Sequence, residues 1–115
     1  MFIDLDSVDI YVKPGTTDMR KQINGLSVLV RQELNLNPFS GALFVFCNRR
    51  RHLLKVLYWD RTGFALWMKR LEKARFPWPM SRRDAEKLDV DQFRQLLSGI
   101  DFWSAHKELH YTMTY

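Results

Sequence analysis

The sequence has little of what a disulfide-stapled, membrane-spanning or disordered protein would need. Its single cysteine, Cys47, cannot form an intramolecular disulfide, so an oxidising compartment is not required. No apolar run approaches the roughly 18 residues that span a bilayer, and the N-terminus lacks a signal-peptide pattern. A hydrophobic fraction of 46% with 14% aromatic residues is typical of a folded chain. We therefore expect one cytoplasmic domain over residues 1–115, less ordered at 1–8 and 103–115.

Patterns for catalysis and metal binding are also missing. Two-metal phosphoryl transfer needs several converging carboxylates, whereas the basic part of the chain offers only Asp60 and Glu72. His106 and His110 are four residues apart, but no Cys or acidic partner at convincing spacing completes a tetrahedral set. The sequence shows neither a nucleophile paired with a base nor a glycine loop for phosphate. We therefore predict no enzyme activity, no metal site and no cofactor.

Positive charge is concentrated in the middle of the chain. The formal net charge is +5, yet residues 47–83 alone carry eleven Lys/Arg against two Asp/Glu, and the flanks are acidic. A basic surface favours an anionic partner, although it says nothing about the fold.

Two helices are predicted from apolar residues at helical spacing. The first covers residues 18–35, with Thr17 as its N-cap, and must end before Pro38. The second covers residues 90–98, is capped by Asp89 or Asp91, and stops at Ser98-Gly99.

Five short extended segments are predicted, one before the first helix and four after it. A short β-rich run at 9–13 precedes it, and 42–47 is apolar on both faces, as expected of a central strand. Residues 48–52 form a hairpin loop between 42–47 and the next strand, 53–59. After a turn at 60–63, in which Gly63 can take a positive φ, residues 64–71 form a third strand, with a helix over 64–73 as the alternative. A last extended piece, 75–78, lies between prolines and suits a sheet edge.

Arginine and lysine alternate with aromatic residues along these strands, a composition that suits contact with nucleic acid. Arginine forks match phosphate, and exposed rings stack on bases. The candidate contacts to nucleic acid are Arg49, Arg50, Arg51, Lys55, Lys69, Arg70 and Arg75. The candidate stacking residues are Tyr58, Trp59 and Trp67. Two plainer interpretations remain open: a domain of this size needs most of its tryptophans in the core, and surface arginines also serve solubility.

The order of several motifs resembles a known family. The motifs are T-T-D-M-R-K (16–21), N-P-F-S-G (37–41), L-F-V-F-C-N-R-R-R-H (43–52), K-V-L-Y-W-D-R-T-G-F (55–64), W-M-K-R-L-E-K (67–73), R-F-P-W-P (75–79) and L-L-S-G-I-D (96–101). Together they resemble the Orf2-type accessory protein, often labelled TnpB, of bacterial insertion sequences of the IS66 family. The resemblance covers roughly residues 10–102.

The resemblance implies a role in transposition beside a separate, larger catalytic transposase. Two mechanisms remain open: the basic surface holds transposon-end DNA, or the domain is an adaptor that binds the transposase without touching DNA. The expected partners are therefore DNA and the transposase of the same element, with no membrane partner and with a homo-oligomer left open. The expected fold is α+β: an antiparallel meander of about four strands, with one long amphipathic helix packed on it and a shorter C-terminal helix.

Overall fold

The computed structural model describes residues 4–80 and 84–101, which form a five-stranded sheet and two helices. The helices are α1 (Ile23–Gln32) and α2 (Val90–Leu97). The strands are β1 (Ile10–Val12), β2 (Leu43–Cys47), β3 (Leu53–Asp60), β4 (Gly63–Arg70) and β5 (Glu86–Leu88). A short 3-10 helix, Leu5–Ser7, precedes β1. The predicted α+β class is confirmed, whereas the details of the sheet differ from the prediction.

The sheet is mixed, with the strand order β4-β3-β2-β1-β5. The meander β2-β3-β4 is antiparallel, as expected. However, β1 pairs with β2 in parallel, so the chain between them crosses over through α1. The fifth strand, β5, pairs antiparallel with β1 and was not predicted. The expected antiparallel meander of about four strands is therefore only partly confirmed: three of its strands are present, and the sheet is extended by the parallel strand β1 and by β5.

Some of the individual strand predictions were confirmed and others were wrong. The segment 42–47 contains β2, which is the middle strand and is buried along its whole length. The segment 64–71 is a strand, and the helical alternative there was wrong. The positive φ of the β3-β4 turn belongs to Arg61 (φ 54°) and not to Gly63. The segment 75–78 is irregular rather than an edge strand: Phe76 and Trp78 bury their rings in the same core cluster as Phe93 and Leu96 of α2.

The centre of the sheet is covered on both faces. On one face α1 packs Leu26 and Val30 against Phe44, Phe46 and Leu57. On the other face α2 and the 76–78 segment cover the sheet with four buried side chains, those of Phe76, Trp78, Phe93 and Leu96. The indole N–H of Trp78 donates to the carbonyls of Lys13 (3.1 Å) and Gly15 (2.8 Å), which satisfies its polar atom in the core.

The first helix is shorter than predicted because the residues before it are held in a turn. Asp18 accepts a hydrogen bond from the backbone N–H of Arg20 (2.9 Å) and pairs with its guanidinium. The side-chain bond from Arg20 lowers the pKa of Asp18 to about 2. Such a local bond competes with helix formation, so α1 begins only after Gln22. Thr17 is therefore not its N-cap; the amide of Thr17 donates to the carbonyl of Cys47 instead.

A buried lysine fixes this turn to the sheet. Lys55 on β3 is only 4% exposed, and its ammonium donates to the carbonyls of Met19 (2.8 Å) and Lys21 (3.0 Å). The side-chain oxygen of Gln22, at 3.5 Å, is the third acceptor. An ammonium has three donors, and three neutral oxygens receive them here. The chain that enters α1 is thus tied to the centre of the sheet.

The second helix agrees with its prediction. Asp89 is the N-cap: its carboxylate accepts the N–H of Gln92 (2.7 Å), while the Gln92 side chain accepts the N–H of Asp89 (3.0 Å). This reciprocal pair is a capping box. Gly99 follows the helix with φ 76°, a left-handed conformation that glycine adopts without steric cost.

We predict that Lys55→Met destabilises the domain. The methionine fits the apolar surroundings but leaves two shielded carbonyls without a donor, at a cost of roughly 1–3 kcal/mol for each unsatisfied group. Urea denaturation followed by tryptophan fluorescence measures the loss. Lys87→Met is the matched control, because Lys87 is exposed and its ion pair with Asp9 should contribute no more than about 1 kcal/mol. Equal stability of the two variants would contradict the role assigned to Lys55.

Candidate nucleic-acid interface

Asn48 organises the loop between β2 and β3. Its side-chain oxygen accepts the backbone N–H groups of His52 and Leu53, both at 3.1 Å. Its backbone carbonyl accepts the N–H of Arg51 at 3.0 Å. Arg51 has a φ of 61°, a conformation that a non-glycine residue holds only when its surroundings impose it. The loop that carries the three arginines is therefore shaped by Asn48.

The segment that follows β4 braces the same loop. The N–H of Leu71 donates to the carbonyl of His52 (2.8 Å), and the N–H of Phe76 donates to the carbonyl of Arg51 (2.6 Å). Because these bonds use backbone groups of the loop, its arginine side chains play no part in them. The 71–76 segment and the loop consequently form one end of the sheet.

A shallow cleft of about 280 Å³ lies between these two segments. Its lining residues are Arg50, His52, Leu71, Glu72, Lys73, Ala74 and Arg75. We use the term basic end for the cations around this cleft: Arg49, Arg50, Arg51, Arg70, Lys73 and Arg75. All are exposed except Arg51, which is half-buried. Glu72 is the carboxylate among the lining residues, and it pairs with Arg70 on the surface (3.1 Å).

Two contributors to this cleft, Lys73 and His52, were not assigned to the interface from the sequence. From the sequence, Lys73 contributed only to the positive charge of residues 47–83. No sequence pattern predicts that the chain after β4 returns to the β2-β3 loop. The oxygen of the Asn48 amide is engaged by two backbone N–H groups, so its nitrogen faces the Nδ1 of His52 at 3.2 Å. Nδ1 must then accept, and the proton of the neutral ring lies on Nε2. His52 therefore has one remaining N–H for an acceptor in the cleft.

Two predicted contact residues are engaged inside the fold. Lys55 is buried and bound to the turn before α1, so it cannot reach a ligand. Its prediction as a nucleic-acid contact was wrong, because a strand position alone does not show which face is covered. Lys69 donates to the carbonyl of Leu97 at 2.7 Å. This bond satisfies a terminal carbonyl of α2 and places a cation at the helix C-terminus, where the dipole favours it.

The three candidate stacking residues lie away from the basic end. Tyr58 and Trp67 are half-buried and pack against the core on the α2 side of the sheet. Trp59 lies on the opposite face, in a cluster with Phe39 and Phe64 whose ring centroids are each 5.1 Å apart. It is six residues along β3 from the loop, a distance of roughly 20 Å. The structure thus brings the arginines together but not the rings with them.

The described residues include one cysteine and no cluster of metal-ligating side chains. Cys47 is fully buried, and burial raises the pKa of its thiol to about 12. Within residues 4–80 and 84–101, no group of three His, Cys, Asp or Glu side chains could hold a metal ion. His106 and His110 lie outside the described residues. No helix in the described part of the chain is long and apolar enough to cross a membrane.

Comparison with known proteins identifies relatives along most of the chain. The family model of the IS66 Orf2-like protein matches residues 8–107. An uncharacterized protein of Sinorhizobium fredii, y4hO, is 42% identical over 96 residues, which cover 84% of each chain. A second uncharacterized protein of that organism, y4jC, is 34% identical over 93 residues, covering 81% of this chain and 80% of its own. No solved structure matches the chain significantly.

We expect Asn48→Ala to loosen the basic end and to lower the free energy of unfolding. The substitution removes the acceptor of two backbone N–H groups, at a cost of roughly 1–3 kcal/mol. Chemical denaturation gives the magnitude, and amide hydrogen exchange at His52 and Leu53 shows whether the loss is local. Asn24→Ala, at an exposed position of α1, is the control and should be neutral or slightly stabilising. Unchanged exchange in the Asn48 variant would refute this assignment.

The Cys47 thiol should not react with a thiol reagent at pH 8 while the protein is folded, and should react rapidly in urea. Since its pKa rises from 9.0 to about 12 on folding, only the unfolded chain loses the proton between these values. The free energy of unfolding should therefore fall with rising pH above about 9, by roughly 1.4 kcal/mol per unit relative to Cys47→Ala. If the free energy of unfolding depended on pH equally in the wild type and in Cys47→Ala, the raised pKa of the buried thiol would be contradicted.

Proposed function

Because this chain belongs to the IS66 Orf2-like protein family, we propose that it acts in insertion-sequence transposition by binding DNA and not by catalysis. Family membership supports an accessory role beside the protein that cleaves DNA. The DNA-binding part of the proposal depends on one observation, the basic end. We infer that this surface holds the phosphate backbone of transposon-end DNA during assembly of the transposition complex.

The basic end has the properties that a phosphate-binding surface requires. Two stretches of the sequence contribute to it: the β2-β3 loop, and the end of β4 with the 71–76 segment that follows it directly. The exposed guanidinium groups of Arg49, Arg50 and Arg75 can form paired bonds with phosphate oxygens. The loop backbone is already fixed by Asn48 and by the bonds to Leu71 and Phe76. The loop backbone therefore needs no further ordering when a ligand binds, and the entropy cost of binding is confined to the arginine side chains.

The geometry favours contact with the backbone over base reading. Major-groove recognition commonly uses the outer face of a helix, whereas α1 and α2 carry none of the cations of the basic end. The cations of the basic end come instead from loops and a strand end. We therefore propose modest sequence preference for the isolated protein, with specificity supplied by the assembled complex.

An adaptor role is the second candidate, and an apolar patch supports it. Phe39 is 48% exposed and forms one cluster with Trp59 and Phe64. This cluster lies near the β3-β4 turn, at the other end of β3 from the basic end. Exposed aromatic rings are typical of protein interfaces. In this alternative the chain binds the transposase of the same element and makes no contact with DNA.

The direct test is a binding titration over a range of salt concentrations, using transposon-end duplex, scrambled duplex and single strand. If five cations each contact a phosphate, log affinity against log salt concentration should fall with a slope of roughly −4.5 on duplex. Replacing Arg49, Arg50 and Arg51 together by Ala should reduce that slope to roughly −1.8. The domain should remain folded, because the loop makes its bracing bonds through its backbone.

The matched control removes the same charge elsewhere. Arg20, Arg31 and Arg94 are exposed and lie outside the basic end, so their triple replacement by Ala should leave most of the affinity and the slope intact. Equal losses in the two triple variants would mean that only net charge matters and would refute the basic end as a site. Absence of DNA binding at low salt, with capture of the transposase after nuclease treatment, would instead establish the adaptor role.

A further inference from the structure

The two edges of the sheet are built very differently. One edge is β5, which has only three residues and carries the exposed Lys87. Short, charged edge strands of this kind resist pairing with another chain. The other edge is β4, which runs for eight residues, from Gly63 to Arg70. Its register with β3 is uninterrupted by a bulge, and it contains no proline.

The pattern of backbone bonds shows which groups of β4 face outward. The N–H of Leu71 donates to the carbonyl of His52, which marks that pair as hydrogen-bonded. Hydrogen-bonded and non-bonded pairs alternate along an antiparallel ladder. Residues 65, 67 and 69 therefore bond to β3, whereas Phe64, Leu66 and Met68 direct their N–H and C=O groups away from it. Within the described part of the chain, no backbone bond outside the β3-β4 ladder reaches these three residues.

We propose that β4 pairs antiparallel with the β4 of a second copy of this chain, so that a two-fold axis at Leu66 joins the two sheets. In this register Phe64 exchanges backbone bonds with Met68 of the second copy, and Leu66 pairs with its own counterpart. The two short β5 strands then form the outer edges of a continuous ten-stranded sheet. This inference does not depend on the proposed function.

The charges and sizes of the β4 side chains favour a second copy in this orientation. The cations of the strand, Lys69 and Arg70, lie at its C-terminal end, and a parallel pair would set them side by side. The antiparallel register places Lys69 beside Gly63 and Arg70 beside Thr62. It also places the large Trp67 beside the small Ala65. Met68, which is 58% exposed in the single chain, gains the ring of Phe64 as a neighbour.

A proline at Met68 tests the pairing without removing any bond between β3 and β4. Pro at this position eliminates an outward N–H, a change that edge strands tolerate. Sedimentation velocity of the full chain should give a dimer of twice 13.8 kDa for the wild type. We expect Met68→Pro to shift the protein to the monomer, while Met68→Thr, which keeps the N–H, remains dimeric. Far-UV circular dichroism confirms that each variant is folded.

A cross-link tests the register. Leu66→Cys should form an intermolecular disulfide under mild oxidation, because paired residues across the axis lie about 5.5 Å apart between Cα atoms. Native Cys47 is buried and should not interfere. Gln95→Cys, on the exposed side of α2, is the control and should remain monomeric on a non-reducing gel.

Three results would overturn the proposal. The first is a monomeric wild type at concentrations up to about 1 mM, which would leave the edge for a different polypeptide. The second is a folded Met68→Pro variant that still dimerises, because the dimer would then use another surface. The third is equal cross-linking of the Leu66 and Gln95 cysteine variants, which would indicate random collision. Each of these experiments is performed without DNA, so its result does not depend on whether the basic end binds DNA.

Discussion

The ammonium group of Lys55 is the point on which the arrangement of this domain depends. It lies in the middle of β3, yet its bonds reach the carbonyls of Met19 and Lys21, more than thirty residues earlier. These bonds hold the turn from which α1 starts, and α1 in turn allows β1 to lie parallel beside β2. A buried charge of this kind is costly unless every donor has a partner. Here all three donors of Lys55 have partners only when residues 19–22 lie over the middle of β3.

The cations of residues 47–83 have two different roles, and hydrogen bonding to backbone carbonyls distinguishes them. Lys55 and Lys69 serve the fold, because each meets backbone carbonyls at a place where the chain must change direction or end a helix. Among residues 4–80 and 84–101, the side chains of the loop arginines have no such partner, and the β2-β3 loop is held by Asn48 instead. Their guanidinium groups thus remain available. A count of positive charge along the sequence cannot separate these two roles, since the acceptors are backbone groups far away in the chain.

Local patterns predicted the strands of the meander and the capped helix α2 well, because their signals lie within the segments themselves. Asp89 and Gln92 stand three residues apart, and β2 is apolar on both faces. The sequence did not predict β5, whose three residues have no period that distinguishes them from a loop. It also overestimated α1, because the bonds of Asp18 and Lys55 that delay the start of this helix depend on neighbouring residues and on tertiary contacts. The loop arginines and Arg75 were predicted as contact residues, whereas the positions of Lys73 and His52 at the cleft required the folded chain.

The order of the strands has a consequence for how the domain assembles. Strands β2, β3 and β4 are joined by short loops, so their pairing closes little chain and should be fast. Strands β1 and β5 are far apart in sequence and pair only after a large loop-closure entropy has been overcome. The residues of the cleft lie within or directly after the meander. We therefore expect the basic end to form early in folding, before β5 pairs with β1 at the far edge of the sheet.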